Sequence, residues 1–456
     1  MSQDTLPPGP RLPRSVQAAL MLRYWPRYVS ACRRRYGSVF TLRVASLGTL
    51  VYLADPTDIK TVFGGDPSVY HAGEANSLLS GLLGASSVLV IDGDVHRDRR
   101  RLMLAPFQRD AVARQLGLIA DIAADNVARW PVGTEFAVAP RMSEITLEVI
   151  LRTVIGATDP DRLDRLRDVM PKLLDVGVWE SLAIQTPGLQ RLGPWRRLAR
   201  TMSDADDLLY AEIAERRADP NLATRTDALA MMIRASDGDR TGSRGMSDVE
   251  LRDQLMTLLV AGHDTTATAL SWALERLTRH PASLSKAVAA ALADGSDGDE
   301  YLDAVCRETM RIRPVVFDVG RILKEPAEIA GYRLPAGIMV APGIGLVHGS
   351  ADLYPEPDRF DPDRMLHAAL GPTTWLPFGG GNRRCLGATF ALAEMRVVLR
   401  EVLRRVELDT TTAPGERQRV KHVILTPHRG GRIRVLNVHD VTRSRTAGTS
   451  RQVHRG

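Results

Sequence analysis

Cysteine is scarce in this 456-residue chain: Cys32, Cys306 and Cys385 stand far apart. No Cys-x-x-Cys pair or His-rich cluster accompanies them, so nothing points to zinc. An odd, widely spaced set argues against a disulfide framework and fits a reducing, cytoplasmic setting. Aromatic residues make up only 5%, so Leu, Val, Ile and Ala must fill a core from a hydrophobic fraction of 44%. No apolar run is long enough to cross a bilayer, and residues 16–22 are both short and interrupted, which leaves room only for a peripheral membrane contact. No signal peptide is visible. Internal repeats, a Walker loop, a Gly-x-Ser-x-Gly elbow and a dinucleotide fingerprint are all absent, which argues against the chemistries they carry. The formal charge of +6 is spread along the chain, with Arg runs at 33–35 and 99–101 on separate expected helices. No nucleic-acid motif goes with them, and a basic face for an acidic protein fits better.

Against that background, residues 376–390 stand out: Leu-Pro-Phe-Gly-Gly-Gly-Asn-Arg-Arg-Cys-Leu-Gly-Ala-Thr-Phe. Gly379, Gly380 and Gly381 lack a Cβ, so the backbone can turn tightly and approach a flat ligand. A helix is expected to start just after Cys385, and turn N–H groups together with a helix N-terminus favour thiolate over thiol. Gly387 leaves room beside the sulfur, and Arg383 can reach an anionic group at the edge of whatever the sulfur holds. A lone thiolate is one way to ligate haem iron from one side.

A second feature is a long helix. Ser247-Asp-Val-Glu250 forms a capping box, and the periodic run after it ends at His280-Pro281. A helix of about 33 residues would be roughly 50 Å long. Its middle is Ala261-Gly-His-Asp-Thr-Thr266, where Gly262 and two threonines are poor helix formers. A Thr hydroxyl there can take an i−4 carbonyl and open the ladder locally.

Elsewhere, residues 1–14 are a Pro-rich lead-in, 39–53 suggest a hairpin around Gly48, Asp55-Pro56 opens a helix ending near Gly64, and 66–90 read as a long irregular loop. On the helix after Asp92-Gly-Asp94, His96 and Arg100 share a face. Residues 107–235 read as successive helices broken at 187–194. Helix 299–313 carries Glu308-x-x-Arg311, and Pro357-Asp-Arg359-Phe lies downstream. Arg321 opens a strand segment. Residues 386–407 read as a helix, 420–435 as a hairpin and 440–456 as a disordered basic tail. The fold class is mainly α with small β-sheets, as one domain over residues 15–439.

The pattern Phe378-x-x-Gly381-x-Arg383-x-Cys385-x-Gly387 resembles the haem-binding loop of the cytochrome P450 superfamily, and the match is complete. Glu-x-x-Arg, Pro-x-Arg-Phe and the Cys loop follow in the family's order. The 261–266 segment matches its oxygen-binding groove at Ala261, Gly262, Asp264, Thr265 and Thr266. The resemblance implies the triangular-prism fold and haem b with Cys385 as axial thiolate. It implies Phe378, Gly379, Gly387 and Ala261 beside the cofactor. His96, Arg100, Arg321 and Arg383 would meet its propionates, and Asp264 and Thr265 would handle protons at dioxygen. Glu308, Arg311 and Arg359 would form a buried structural network.

It implies a monooxygenase that takes electrons from a ferredoxin and its NAD(P)H-dependent reductase, with no fused reductase domain. Val315, Val316, Phe317, Val423, Ile424 and Leu425 would line a pocket for a small apolar substrate, lipid-, sterol- or terpene-like. The alternatives are a peroxide-using or hydroperoxide-rearranging haem-thiolate enzyme and a non-catalytic haem sensor. The Asp264-Thr265 pair favours the monooxygenase.

Overall fold

The computed structural model describes residues 6–45, 47–174, 193–237, 245–293, 297–367 and 370–439. The tail at 440–456 and most of the break at 187–194 lie outside these residues.

The N-terminal segment is tied down by its own backbone. Thr41 donates from N–H to Pro8 O (2.9 Å) and from its hydroxyl to Pro7 O (2.8 Å). A Cβ on Gly9 would meet Thr41 O at 1.9 Å, so only glycine allows this approach. Helix α1, Arg14–Tyr36, follows, with Pro26 inside it and non-helical backbone at Tyr24. A Pro inside a helix removes one ladder bond and bends the chain. Strands β1, Val39–Val44, and β2, Gly48–Leu53, pair as the expected hairpin. Helix α2, Pro56–Gly64, has Pro at its first position and Asp55 as N-cap, accepting from Thr57 N at 2.7 Å.

The expected loop at 66–90 is more structured than its composition suggests. It holds β3, Tyr70–His71, and short helical turns at Ala72–Ala75 and Ser80–Leu83. Next come α3, Gly93–Leu102, α4, Leu116–Val127, β4, Glu135–Ala137, and α5, Ala139–Ile150. Then follow α6, Pro160–Leu174, α7, Gly193–Ala218, and α8, Ala228–Asp237.

The central element is α9, Asp248–Leu277, 30 residues long. Its capping box is present: Ser247 Oγ accepts from Glu250 N, and the Glu250 carboxylate accepts from Ser247 N. Helix α9 crosses α5, and the close approach depends on Gly262, where a Cβ would lie 2.3 Å from Ile150 Cδ1. Leu270 and Leu274 are buried in the same core cluster as Ile145 and Val149 of α5. Each buried leucine of this kind contributes about 2 kcal/mol.

Beyond it lie α10, Pro281–Leu292, and α11, Asp297–Ile312, then β5, Arg321–Leu323, β6, Ala327–Ile329, β7, Tyr332–Leu334, and β8, Met339–Pro342. One five-stranded sheet has the order β1-β2-β8-β5-β3, with β2 and β8 parallel. Helix α12, Ala388–Arg405, buries Phe390, Val398, Leu399 and Val402 against the same core as α9.

The C-terminal strands differ from the expected single hairpin. β10, Gln418–Lys421, pairs only with β11, Ile424–Pro427, while β12, Arg432–Val438, joins β4 and β9, Val406–Leu408, in another sheet. Gly430 and Gly431, at φ 77° and 69°, make the turn that redirects the chain.

Candidate functional site

The Cys loop is held by short-range backbone bonds. Gly379 N donates to Leu376 O and Cys385 N to Phe378 O, both at 2.9 Å. The three glycines do different jobs. Gly379 and Gly381 take left-handed backbone, at φ 63° and 65°. Gly380 and Gly381 also press on α2: a Cβ would come within 2.3 Å of the Phe63 ring or 1.9 Å of Phe63 O. A Cβ on Gly379 or Gly387 would meet nothing within 4 Å, so both border open space beside the sulfur.

Cys32 and Cys306 are buried, whereas Cys385 is accessible. Burial by its surroundings pushes the pKa of the Cys385 thiol up. The Gly387 N–H and the Arg100 and Arg384 charges pull it down without prevailing. The Gly387 N–H thus acts in the expected direction, toward the thiolate, while burial acts against it. A metal cation at the sulfur is what would deprotonate it.

Arg100 Nη2 donates to Arg384 O at 2.6 Å and so ties α3 to the loop. Arg383 donates to Ile91 O (2.6 Å) and Val88 O (3.1 Å) and pairs with Asp92 at 2.5 Å. Arg321 is buried, donates to Gly320 O at 2.8 Å and lies over the Phe63 ring. His96 is buried too, and burial followed by the charges of Arg383 and Arg100 holds it down to about 4, with Asp92 opposing and Arg321 adding. Arg321 is lowered to about 10, by burial and then by Arg383. The four basic residues read from the sequence thus converge, and among the described residues Asp92 is the acid acting on His96. Asp92 was not singled out in the sequence. Its carboxylate also accepts from Gly73 N and Glu74 N at 2.9 Å each. Positive charge in excess, beside an accessible sulfur and two glycine-lined open faces, fits a flat, doubly anionic ligand such as haem.

On α9, Ala261 is exposed and Asp264 and Thr265 are partly so. Thr265 Oγ1 donates to Ala261 O at 2.6 Å, the i−4 bond expected, but the helix continues through it. Asp264 Oδ2 lies 3.3 Å from Lys421 Nζ on β10, a partner no local pattern indicated. His263 is buried, with its ring nitrogens 2.9 Å from Ser143 Oγ and Thr146 Oγ1 of α5. Burial lowers its pKa to about 4.

Glu308 and Arg311 form a two-pronged pair at 2.7 and 2.8 Å, with both side chains fully buried. Arg311 also donates to the carbonyls of His348 (2.9 Å), Pro357 (2.8 Å) and Arg359 (3.2 Å). The expected third guanidinium is corrected here. Arg359 contributes only its carbonyl, and its side chain is 62% exposed beside Glu356. Arg364 supplies the charge instead, at 3.2 Å from Glu308 Oε1. Pro-Asp-Arg occurs twice, at 357–359 and 362–364, and only the second copy turns its side chain inward. His348 carries the network onward, its Nε2 accepting from Leu376 N at 2.8 Å where the Cys stretch begins.

Of the proposed lining residues, Phe317, Ile424 and Leu425 are buried core, while Val315 and Val316 are partly accessible. Val423, at the hairpin tip, is half exposed.

A helical body with small sheets and a single accessible cysteine in a glycine loop ringed by basic residues defines a haem-thiolate protein by fold and site. A family model described as Cytochrome P450 matches residues 7–435. The chain is 70% identical over 440 residues to a Mycobacterium tuberculosis protein provisionally named cytochrome P450 135B1, covering 96% of this chain and 93% of the relative. It is 41% identical over 434 residues to cytochrome P450 135A1 of the same organism, also a provisional name, with 94% and 95% covered. The solved structure of cyanobacterial CYP120A1 with retinoic acid bound superposes at a TM-score of 0.80 and 23% identity, over 95% of this chain and all of that one. The chain belongs to the cytochrome P450 family, whose members are monooxygenases using haem b ligated by a cysteine thiolate. Among the described residues, no helix is long and apolar enough to cross a membrane.

Proposed function

We propose that the chain is a monooxygenase that inserts one oxygen atom from dioxygen into a small apolar substrate, and that Cys385 would supply the thiolate that holds its haem. The observation that carries this reading is the convergence of His96, Arg100, Arg321 and Arg383 around Asp92, beside the one accessible sulfur. When bound, haem supplies one-electron redox chemistry with dioxygen. The protein does the rest. Arg100, Arg321, Arg383 and His96 would hold the two propionates, whose charge would offset the repulsion among the basic groups. The Gly387 N–H and the Arg100 charge stabilise the sulfur's negative charge. Gly379, Gly387, Phe378 and Ala261 shape the faces that receive the ring.

Thr265, partly exposed in the middle of α9, presents a hydroxyl oxygen, its own proton engaged with Ala261 O. Asp264, partly exposed and adjacent, moves protons between solvent and that hydroxyl. Glu308, Arg311 and Arg364 hold the segment leading into the Cys loop. Electrons arrive from a small acidic ferredoxin, served by an NAD(P)H-dependent reductase. The ferredoxin docks near the exposed Arg384, and this step slows as salt rises.

The test is the absorption of the reduced protein with carbon monoxide. A thiolate-type band that disappears in Cys385→Ala is expected. Its absence from the wild type, or its survival in the variant, overturns the reading. Turnover with a ferredoxin system is expected to exceed turnover with peroxide alone, and the reverse would assign the chain to the peroxide-using class.

A further inference from the structure

The arginines at the start of the chain lack the acids that accompany them elsewhere. Residues 5–54 hold eight arginines and no Asp or Glu, where the chain's average would place about six acids. One of the eight, Arg33, turns inward and donates to Leu346 O (2.6 Å) and Ser350 Oγ (3.2 Å). Arg11, Arg14, Arg23, Arg27, Arg34 and Arg35 are exposed, and none of them pairs with a carboxylate among the described residues.

Large apolar side chains are exposed among these charges. Leu22 is 71% exposed, and Tyr24, Leu12 and Val16 are 46, 44 and 42% exposed. Arg23 lies over the Tyr24 ring, 5.2 Å from its centre. In the first half of α1, helical spacing puts the exposed positions Arg14, Ser15, Val16, Ala19, Leu22 and Arg23 on one face. Leu22 and Ala19 run along its middle, with Arg14 on one flank and Arg23 on the other. Gln17 points the opposite way. It is buried, donates to Leu12 O (2.8 Å) and Pro10 O (3.3 Å) and accepts from Arg43 N (3.0 Å), which pins the helix with this face outward. Val420 packs in the same cluster as Ala18, Met21 and Trp25, so the β10–β11 hairpin sits beside α1. Its tip adds Val423, 50% exposed, and Arg419 on the strand before it is exposed too.

Charge alone would suit any acidic partner. The leucine and tyrosine between the arginines narrow the choice. At a bilayer surface, guanidinium groups meet headgroup phosphates while apolar side chains enter the acyl boundary. A face without acids meets no repulsion from anionic lipids. Among the described residues no helix can cross a membrane, so the contact is with the surface. We propose that the exposed face of α1, with the β10–β11 tip beside it, binds an anionic lipid bilayer.

The test is sedimentation of the haem-loaded full chain with two kinds of vesicle: pure phosphatidylcholine, and equal parts of phosphatidylcholine and phosphatidylglycerol. Binding to the mixed vesicles alone is expected, weakening as salt rises. Arg14→Gln combined with Arg23→Gln should weaken it about thirtyfold. Leu22→Ser should weaken it about tenfold. Arg109→Gln combined with Arg114→Gln changes the net charge equally outside the acid-free stretch and should leave binding unchanged. All these side chains are exposed, and unchanged melting curves show that the variants fold. No binding, or equal binding to both vesicles, overturns the proposal. So does an equal loss in the two arginine pairs, which would make the attraction one of net charge. A loss in Arg14→Gln/Arg23→Gln with none in Leu22→Ser also overturns it and assigns the face to a soluble acidic partner.

Discussion

The carboxylate of Asp264, in the middle of the long helix α9, lies 3.3 Å from the ammonium of Lys421 on the C-terminal hairpin, 157 positions away in the chain. The acid proposed to move protons is thus also tethered to the hairpin that bonds the segment at Val315. That link is direct: Leu425 N donates to Val315 O at 2.8 Å, and Trp272 Nε1 of α9 donates to Leu425 O at 2.9 Å.

Two variants separate proton relay from clamp. Asp264→Asn removes the acid and should slow product formation by about 10²-fold, the scale of general acid–base catalysis, with the carbon monoxide band intact. Lys421→Met keeps the acid and should cost far less. Equal losses in both would make the pair a structural clamp and remove Asp264 from the relay.

For the buried network, Arg364→Ala leaves the Glu308 carboxylate short of one charge partner. A loss of about 3 kcal/mol in stability and poorer haem retention are expected. Arg359→Ala removes an exposed side chain and should stay within about 0.5 kcal/mol. Thermal unfolding and the ratio of haem absorbance to protein check both, and reversed magnitudes would restore Arg359 to the network.

The glycines of the Cys loop should also divide. Gly379→Ala pays the left-handed backbone cost of about 1–2 kcal/mol and little more. Gly381→Ala pays the same and drives a methyl into Phe63 O, so the loop cannot keep its path. Gly387, at φ −83°, tolerates a side chain on backbone and packing grounds. Gly387→Val should therefore fold but bind haem weakly, as measured by haem titration of the apoprotein. Undiminished affinity would mean that Gly387 does not border the ring.

His263 ties stability to pH. Its folded pKa is depressed to about 4 against an ordinary 6.5, so the folded state holds it neutral. The stability it contributes is present above pH 6.5 and is lost as pH falls through 4. His263→Gln should therefore lose less stability than wild type across that window, by about 3 kcal/mol. Parallel melting curves from neutral pH to pH 4 for the two proteins would dismiss the effect.

Much of the site was readable before any fold was known, because its parts are local. The Cys385 turn needs left-handed backbone at Gly379 and Gly381, and glycine announces that. The Ser247 capping box, the Thr265-to-Ala261 bond and the Glu308–Arg311 pair all span three or four residues, the helical repeat. The C-terminal hairpin was misjudged because Gly430 and Gly431 mark a turn without saying which sheet the next strand joins.

What the sequence determined by itself, then, is the chemistry on offer: one haem-binding cysteine loop, one helix bearing an acid and an alcohol, and basic residues at four separated positions. The tertiary structure alone decided which of two identical Pro-Asp-Arg segments turns inward, that Lys421 meets Asp264, and that Tyr52 and Trp25 both donate to Asp318. Spacing along a helix or turn is dictated by backbone geometry, whereas these contacts join distant segments and arise only when burial brings their elements together.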